Sequence, residues 1–424
     1  MKRKNSIALV AAFMISSFWA QAQITFSPYS VFGIGDIQSR AMSHQGAMGG
    51  VGIGTPSFYH INSMNPALLT YNRLTSFEIG IQGESRTSAT SIDSQTNGSG
   101  GFKYLSFAFP IIYNRMTTNI GVRPYSAVNY NFLSEASVEG NDQVTALVER
   151  TGEGGLTEVY WSNGIRAYKN LSFGVRGSFL FGFIEDENRI TLTGDDVTSQ
   201  VPSGIMQKTN YKGFTLGFGA AYRFEIGEKK NISVGATYDL GQDLKGERLT
   251  RQVTFIGDRD LPGDTLVNGS YDSSFGLPTE LGLGISYEYE NRLIVGLDVT
   301  IADWQDDAAF SDNSALGFRR TLSAGLGIEI IPKYNDVDSY LSRVRYRVGV
   351  SYQQLPYVTG NTNIDDIGIN FGWSLPVKTV SALNMTFKYG QRGTKDDGLV
   401  KENYIKFTLG VTLNDRWFIR RKYN

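Results

Sequence analysis

Arg343, Arg345 and Arg347 alternate with Val344, Tyr346, Val348 and Val350. At a period of two, three guanidinium groups stand on one face of a strand and the apolar side chains on the other. Such a row can grip an anionic head group, because guanidinium forks match oxyanions. It can also pair with acids such as Glu329 inside a polar lumen, the usual fate of lumen charges and the reading favoured here. Catalytic chemistry has little to draw on. With 2 His, His44 and His60, and 0 Cys, no Ser-His-Asp arrangement and no metal cluster is expected. His60 reads as a hydrogen-bonded structural residue, and the chain as a non-enzyme with no cofactor and no metal. The stretch "GGVGIG", 49 to 54, imitates a phosphate-binding loop, but no strand-loop-helix unit surrounds it. Asp258, Asp260 and Gly263 approach a calcium loop, yet Pro262 stands where an oxygen ligand belongs and Gly269 where a bidentate Glu is required. These, with Asp195-Asp196, Asp336 and Asp338, and Asp365-Asp366, read as solvated loops.

The elements that must position the arginines are strands. Residues 1–22 carry Lys2, Arg3 and Lys4, an apolar run from Ile7 to Trp19 and then Ala20-Gln21-Ala22, the three regions of a secretory signal cleaved near Ala22. Beyond it no run of about 18 apolar residues offers a membrane helix. Lys+Arg 40 against Asp+Glu 41 leaves a net charge of -1, which argues against a nucleic-acid partner. Gly 48, Tyr 23 and Phe 25 are high counts and fit a strand-dominated, curved structure.

Period-two alternation recurs in about fourteen segments, centred near 74–85, 102–112, 116–130, 157–168, 171–185, 209–226, 231–249, 279–289, 292–304, 318–330, 342–353, 366–375, 381–391 and 403–413. Short links such as Tyr113-Asn114, Lys169-Asn170 and Glu290-Asn291 alternate with long polar stretches at 86–101, 131–156, 186–208 and 250–278. Tight turns on one side and long loops on the other are the pattern of an outer-membrane barrel. Charge on the lipid face costs on the order of 2 to 4 kcal/mol for Arg or Lys at midplane. Arg123, Arg166, Arg176, Arg223, Asp298, Glu329, Lys388 and Lys406 are therefore expected inside. Tyr71, Tyr113, Tyr168, Tyr289, Trp373 and Trp417 are expected as an interfacial girdle. The fold class is all-β: a transmembrane antiparallel β-barrel of about 14 strands with an N-terminal hatch or plug in its lumen.

The hatch is assigned to 23–72, the barrel to 73–413, and 414–424 to a basic periplasmic tail with Arg416, Trp417, Phe418, Arg420, Arg421 and Lys422. Asn65, Pro66 and Ala67 would end the hatch, Asn65 capping a short helical turn and Pro66 occupying its first position, where no amide donor is needed.

At these residues the sequence resembles a family. "GAMGGVGIGTPSFYHINSMNPALLT", 46–70, looks like the N-terminal hatch of FadL-type outer-membrane transport proteins, in which a Gly-rich stretch and an Asn-Pro-Ala motif precede a fourteen-stranded barrel. The related PorV barrel of the type IX secretion system carries a similar start, and "SPYSVFGIGDI" and "NDRWFIRRKYN" resemble outer-membrane proteins of Bacteroidetes-type bacteria. The resemblance implies passive uptake of hydrophobic or amphipathic compounds, which leave sideways through an opening at a kink in the third strand. Pro124, inside the third predicted strand, is the candidate for that opening, with a simple bulge as its plainer reading. The alternative function is an accessory subunit of an outer-membrane secretion or assembly machine. Expected partners are outer-membrane lipid, a hydrophobic small molecule and other outer-membrane proteins in a complex. A continuous apolar tunnel would favour transport; a sealed lumen with apolar loops would favour the subunit.

Overall fold

The alternation closes into a ring. The structure, a computed structural model, describes residues 26–194, 202–256, 259–262, 269–304, 316–359, 362–377 and 381–416. The expected signal segment, Asp195-Asp196, Asp258, Gly263 and the basic tail from Trp417 onward lie outside the described residues.

Of the twenty strands among the described residues, fourteen build the wall. They are β2 (Thr75–Ala89), β3 (Ser94–Ile112), β4 (Met116–Pro124), β6 (Asn141–Tyr168), β7 (Leu171–Thr193), β8 (Ser203–Gly227), β9 (Lys230–Asp239), β13 (Thr279–Tyr289), β14 (Leu293–Asp303), β16 (Thr321–Ile330), β17 (Arg345–Thr359), β18 (Thr362–Pro376), β19 (Ala382–Arg392) and β20 (Lys401–Asp415). Each pairs antiparallel with the next, and β20 returns to β2 from Asp415↔Thr75 to Lys401↔Ala89. Closure pairs backbone groups that hydrocarbon could not solvate. Six further strands complete the set: β1 (Asp36–Ile37), β5 (Ser126–Val138), β10 (Asp243–Ile256), β11 (Arg259–Pro262), β12 (Gly269–Gly276) and β15 (Leu316–Phe318).

One rim carries the tight turns. Asn114, Lys169, Lys229 and Asn291 all have positive φ, between 41° and 61°, in links of two or three residues, where positive φ matches the turn to the twist of the strands. At the other rim the stretches read as long loops are largely strand: β6 and β7 stay paired out to Thr145↔Thr193, and β10 lies between β8 and β12. Their outer faces mix charged and polar residues with apolar ones, which breaks the alternation, while Leu244, Val253 and Phe275 are buried on the inner side. The predicted strand at 231–249 splits into β9 and β10, and that at 116–130 into β4 and β5 at Pro124.

Residues 26–72 fill the interior through 3-10 helices Pro28–Val31 and Pro66–Tyr71 and a short α-helix, Ser43–Gly46. Met42, Ile61 and Leu69 pack on Tyr104 and Ala108 of β3, while Ala67, Leu68 and Tyr71 pack on Ala221 of β8. Tyr71 is thus buried inside and corrects its assignment to the girdle: it precedes the wall. Tyr113 and Tyr168 are exposed at the tight-turn rim. Arg343 is a second correction. It belongs to a 3-10 turn, Leu341–Arg343, ahead of β17, is exposed, and lies 5.5 Å from the centre of the Tyr340 ring.

Candidate functional site: the occupied lumen and the seam beside Pro124

Asn65 caps the turn that follows it. Its Oδ1 accepts from the Ala67 amide at 3.0 Å, and its Nδ2 donates to the Ile53 carbonyl at 2.9 Å and to the Ala220 carbonyl of β8 at 3.2 Å. One side chain therefore ends the turn, ties it to the glycine-rich stretch and fastens both to the wall. The wall receives them because it has no side chains there. A Cβ on Gly174 would lie 2.3 Å from Pro66 C, and one on Gly219 would lie 2.2 Å from Asn65 Oδ1. Gly164, Gly174 and Gly219 are cross-strand partners, as are Gly296, Gly327 and Gly349 on the opposite arc. Much of the glycine excess is therefore an inner belt cut to the shape of residues 46–67, a close-approach role rather than a curvature one.

The imitation phosphate loop binds a carboxylate of its own protein. Asp298 Oδ2 on β14 accepts from the Gly52 and Ile53 amides, each at 2.6 Å, and Ser286 Oγ donates to the Gly54 carbonyl at 2.7 Å. Successive amides form a small anion-binding concavity, and the wall supplies the anion.

Above this segment, toward the rim of long hairpins, the lumen is held by ion pairs. The Arg392 guanidinium bridges Asp36 and Asp366, 3.0 Å from each, and Tyr404 donates to Asp366 at 2.6 Å. Arg86 pairs with Glu402 and with Glu84, and Ser27 donates to Glu402 at 2.7 Å. Arg40 reaches Asp239 at 2.7 Å, which Arg176 also holds at 2.6 Å. Burial pushes the Asp36 carboxyl up, but Arg392, Lys406 and Arg86 together outweigh it and leave the group below the usual carboxylate range. Burial raises the Tyr29 hydroxyl to about 12, with Glu402 adding to the rise. A polar cavity of about 300 Å³ lies here, lined by Asp36, Lys103, Arg123, Tyr125, Lys388 and Lys406 among others.

Below the segment a cavity of about 1220 Å³ opens toward the tight-turn rim. Arg345 and Arg347 line it, and both are held by Glu329, at 3.1 and 2.6 Å. The arginine row therefore contributes two lumen cations, not three. His44 and His60 meet in the same cavity wall beside buried Glu78. In the sequence Glu78 reads as an ordinary inward strand position, with nothing to link it to either histidine.

At Pro124 the wall changes partners. β3 pairs with β4 only from Leu105↔Val122 to Ile112↔Met116, and among the described residues its outer half, 94–104, pairs with β2 alone. β4 ends at Pro124, whose ring has no amide to donate. The Tyr125 amide then donates to the Leu156 carbonyl at 2.7 Å, and β5 continues along β6 from Val128↔Gly154. Gly154 and Gly155, at φ 113° and 139°, let β6 follow the bend. The edge of β5 that β3 leaves is taken by the inner segment: Asp36 and Ile37 pair with Ala127 and Ser126, Gln38 N donates to Tyr125 O at 2.9 Å, and Ser27 N to Asn129 O at 3.1 Å. The polar cavity touches both sides of this seam, at Lys103 and at Tyr125.

Solved structures share this architecture. The P. putida toluene transporter TodX is 16% identical with a TM-score of 0.60, 90% of this chain covering 100% of that one. The CymD monoaromatic hydrocarbon channel is 14% identical at 0.53, 91% covering 99%. A Pseudomonas aeruginosa FadL homologue is 13% identical at 0.55, 89% covering 99%. At such identities the likeness is one of fold: an outer-membrane barrel of the FadL type. No curated protein sequence matches the chain. A family model described as BamG matches residues 1–424.

Proposed function

This chain belongs to the BamG family, and from that premise and the lumen geometry we propose that it is a non-enzymatic outer-membrane channel for hydrophobic or amphipathic small molecules. Residues 23–72 are its hatch and the seam beside Pro124 is its lateral exit. The observation that carries this reading is the exchange of partners at the seam: among the described residues, the edge of β5 that β3 leaves is paired by Asp36–Gln38 and Ser27 of the inner segment, which can leave without breaking the wall. The cavity beside it has cations and acids in its lining, so the compound that fits is amphipathic, with a polar head in the cavity and an apolar body directed to lipid. Arg345 and Arg347, satisfied by Glu329, serve lumen structure rather than head-group binding.

One observation favours a second reading, an accessory subunit of an outer-membrane secretion or assembly machine. Leu133, Ile190, Leu192, Ile205 and Tyr271 are exposed on the strand extensions, and single-chain barrels have little use for apolar surface outside lipid. The test is extraction of the tagged chain in mild detergent, followed by size analysis and mass spectrometry of retained proteins and lipids. Recovery alone with a bound amphipathic compound supports the channel. Recovery in a stoichiometric set of outer-membrane proteins overturns it in favour of the subunit.

A further inference from the structure

The fold brings the chain's two histidines together against one carboxylate. His44 stands in the short helix Ser43–Gly46, His60 in the following loop and Glu78 on the inner face of β2, the first wall strand. The two imidazoles stack with centroids 4.2 Å apart and planes 15° from parallel. His60 Nδ1 is 3.5 Å from Glu78 Oε1, and His44 Nδ1 is 3.9 Å from Glu78 Oε2. One donor atom from each residue lies within 4.8 Å of the others.

Each residue also has a polar atom left over. All three are buried, at 7%, 3% and 0% exposure. Among the described residues His44 Nδ1, His60 Nε2 and Glu78 Oε2 have no hydrogen-bond partner. A buried polar atom without a partner costs on the order of 1 to 3 kcal/mol, and each of the three residues carries one. The surroundings hold the donors in place: the Ile61 amide donates to Glu78 Oε1 at 2.8 Å, and Thr412 Oγ1 is 3.2 Å from His60 Nδ1.

We propose that His44, His60 and Glu78 form a divalent transition-metal site, most suited to Zn²⁺, which pins the inner segment to the first strand of the wall. Two imidazoles and a carboxylate are a zinc donor set, and tetrahedral coordination at about 2.1 Å places donors about 3.4 Å apart. The 3.5 and 3.9 Å separations, one to each oxygen of the Glu78 carboxylate, are close to that spacing, and the stacked imidazoles must turn out of parallel for both lone pairs to meet one ion. Both histidines line the 1220 Å³ cavity, which gives the ion a route in and supplies water as the fourth ligand. Arg345 and Arg347 line the same cavity, and their charge is offset by Glu329. The site is independent of whether the barrel conducts.

The experiment uses the full chain in detergent, stripped with a chelator, reloaded with Zn²⁺ and passed through gel filtration for elemental analysis. The expected result is one Zn²⁺ per chain, falling below about one-tenth in Glu78→Gln and His60→Ala, with the heat-modifiable gel migration of a folded barrel retained. A direct ligand should matter more than an outer-shell partner, whose loss costs about 10- to 100-fold in affinity. If the variants do not fold, diethyl pyrocarbonate labelling of the unaltered chain decides, because it has 2 His and no others to confuse the signal. Zn²⁺ should slow their modification at least about tenfold. Less than about one-tenth equivalent in the unaltered chain, full retention by both variants, or equal labelling rates with and without Zn²⁺ overturns the site.

Discussion

Replacing Asn65 with Ala removes four hydrogen bonds from one fully buried side chain. Loss of the cap on Pro66–Tyr71 costs about 1 kcal/mol. The Ile53 carbonyl loses its 2.9 Å donor in a dry environment, which costs roughly 1 to 3 kcal/mol more. Together, Asn65→Ala should destabilise docking of the inner segment by about 2 to 4 kcal/mol, while the wall, closed through its own ladders, stays intact. Hydrogen exchange read by mass spectrometry separates the two. Amides over 66–72 should lose about 30- to 1000-fold of their protection, at 1.4 kcal/mol per tenfold, and amides of β16 and β17 should not change. Asn65→Ser, which keeps an acceptor for the cap but cannot reach Ile53, should fall between. A change under about threefold in Asn65→Ala, or an equal loss in the wall strands, would refute the reasoning.

Further outcomes follow from the same contacts. Gly174→Leu places a Cβ 2.3 Å from Pro66 C, so residues 26–72 should become protease-sensitive while the barrel keeps its heat-modifiable migration; unaltered resistance contradicts the tight fit. Glu329→Gln leaves Arg347 buried without its carboxylate and should cost about 3 to 5 kcal/mol in urea unfolding from lipid vesicles; an unchanged midpoint means the pair is screened by water. Asp36, held below the usual carboxylate pKa by Arg392, Lys406 and Arg86 together, contributes stability that is fully present above about pH 4 and lost as pH falls through its folded value. Protease resistance of the inner segment should therefore be flat from neutral pH down to about 4.5 and decline only below that; a decline already at about pH 6 contradicts the Asp36 assignment.

The wall was legible because lipid on one side and a polar lumen on the other impose alternation on every strand, and all fourteen segments so read are present. Arg123, Arg176, Arg223 and Lys406 face inward with acids, as the cost of charge in lipid demands. The extensions at 131–156, 186–208 and 250–278 read as loops because polar and charged residues interrupt their alternation. Arg343 was misplaced because alternation says nothing about where a strand begins. Asn65-Pro66-Ala67 was readable as a cap since capping is local chemistry, but its seat on Gly174 and Gly219 depends on register between strands far apart in the chain. Glu78 beside His44 and His60 was invisible for the same reason.

The exit beside Pro124 requires that Ile37 can leave Ser126. These two are register partners, and antiparallel partners lie within disulfide reach; the chain has 0 Cys to interfere. Ile37→Cys with Ser126→Cys should fold, oxidise and lock the inner segment to β5. Uptake of a fluorescent fatty acid by vesicles carrying the barrel should fall at least about tenfold on oxidation, a loss of about 1.4 kcal/mol or more in access to the open form, and return with dithiothreitol. Equal uptake in the locked and reduced states would contradict a lateral exit at this seam.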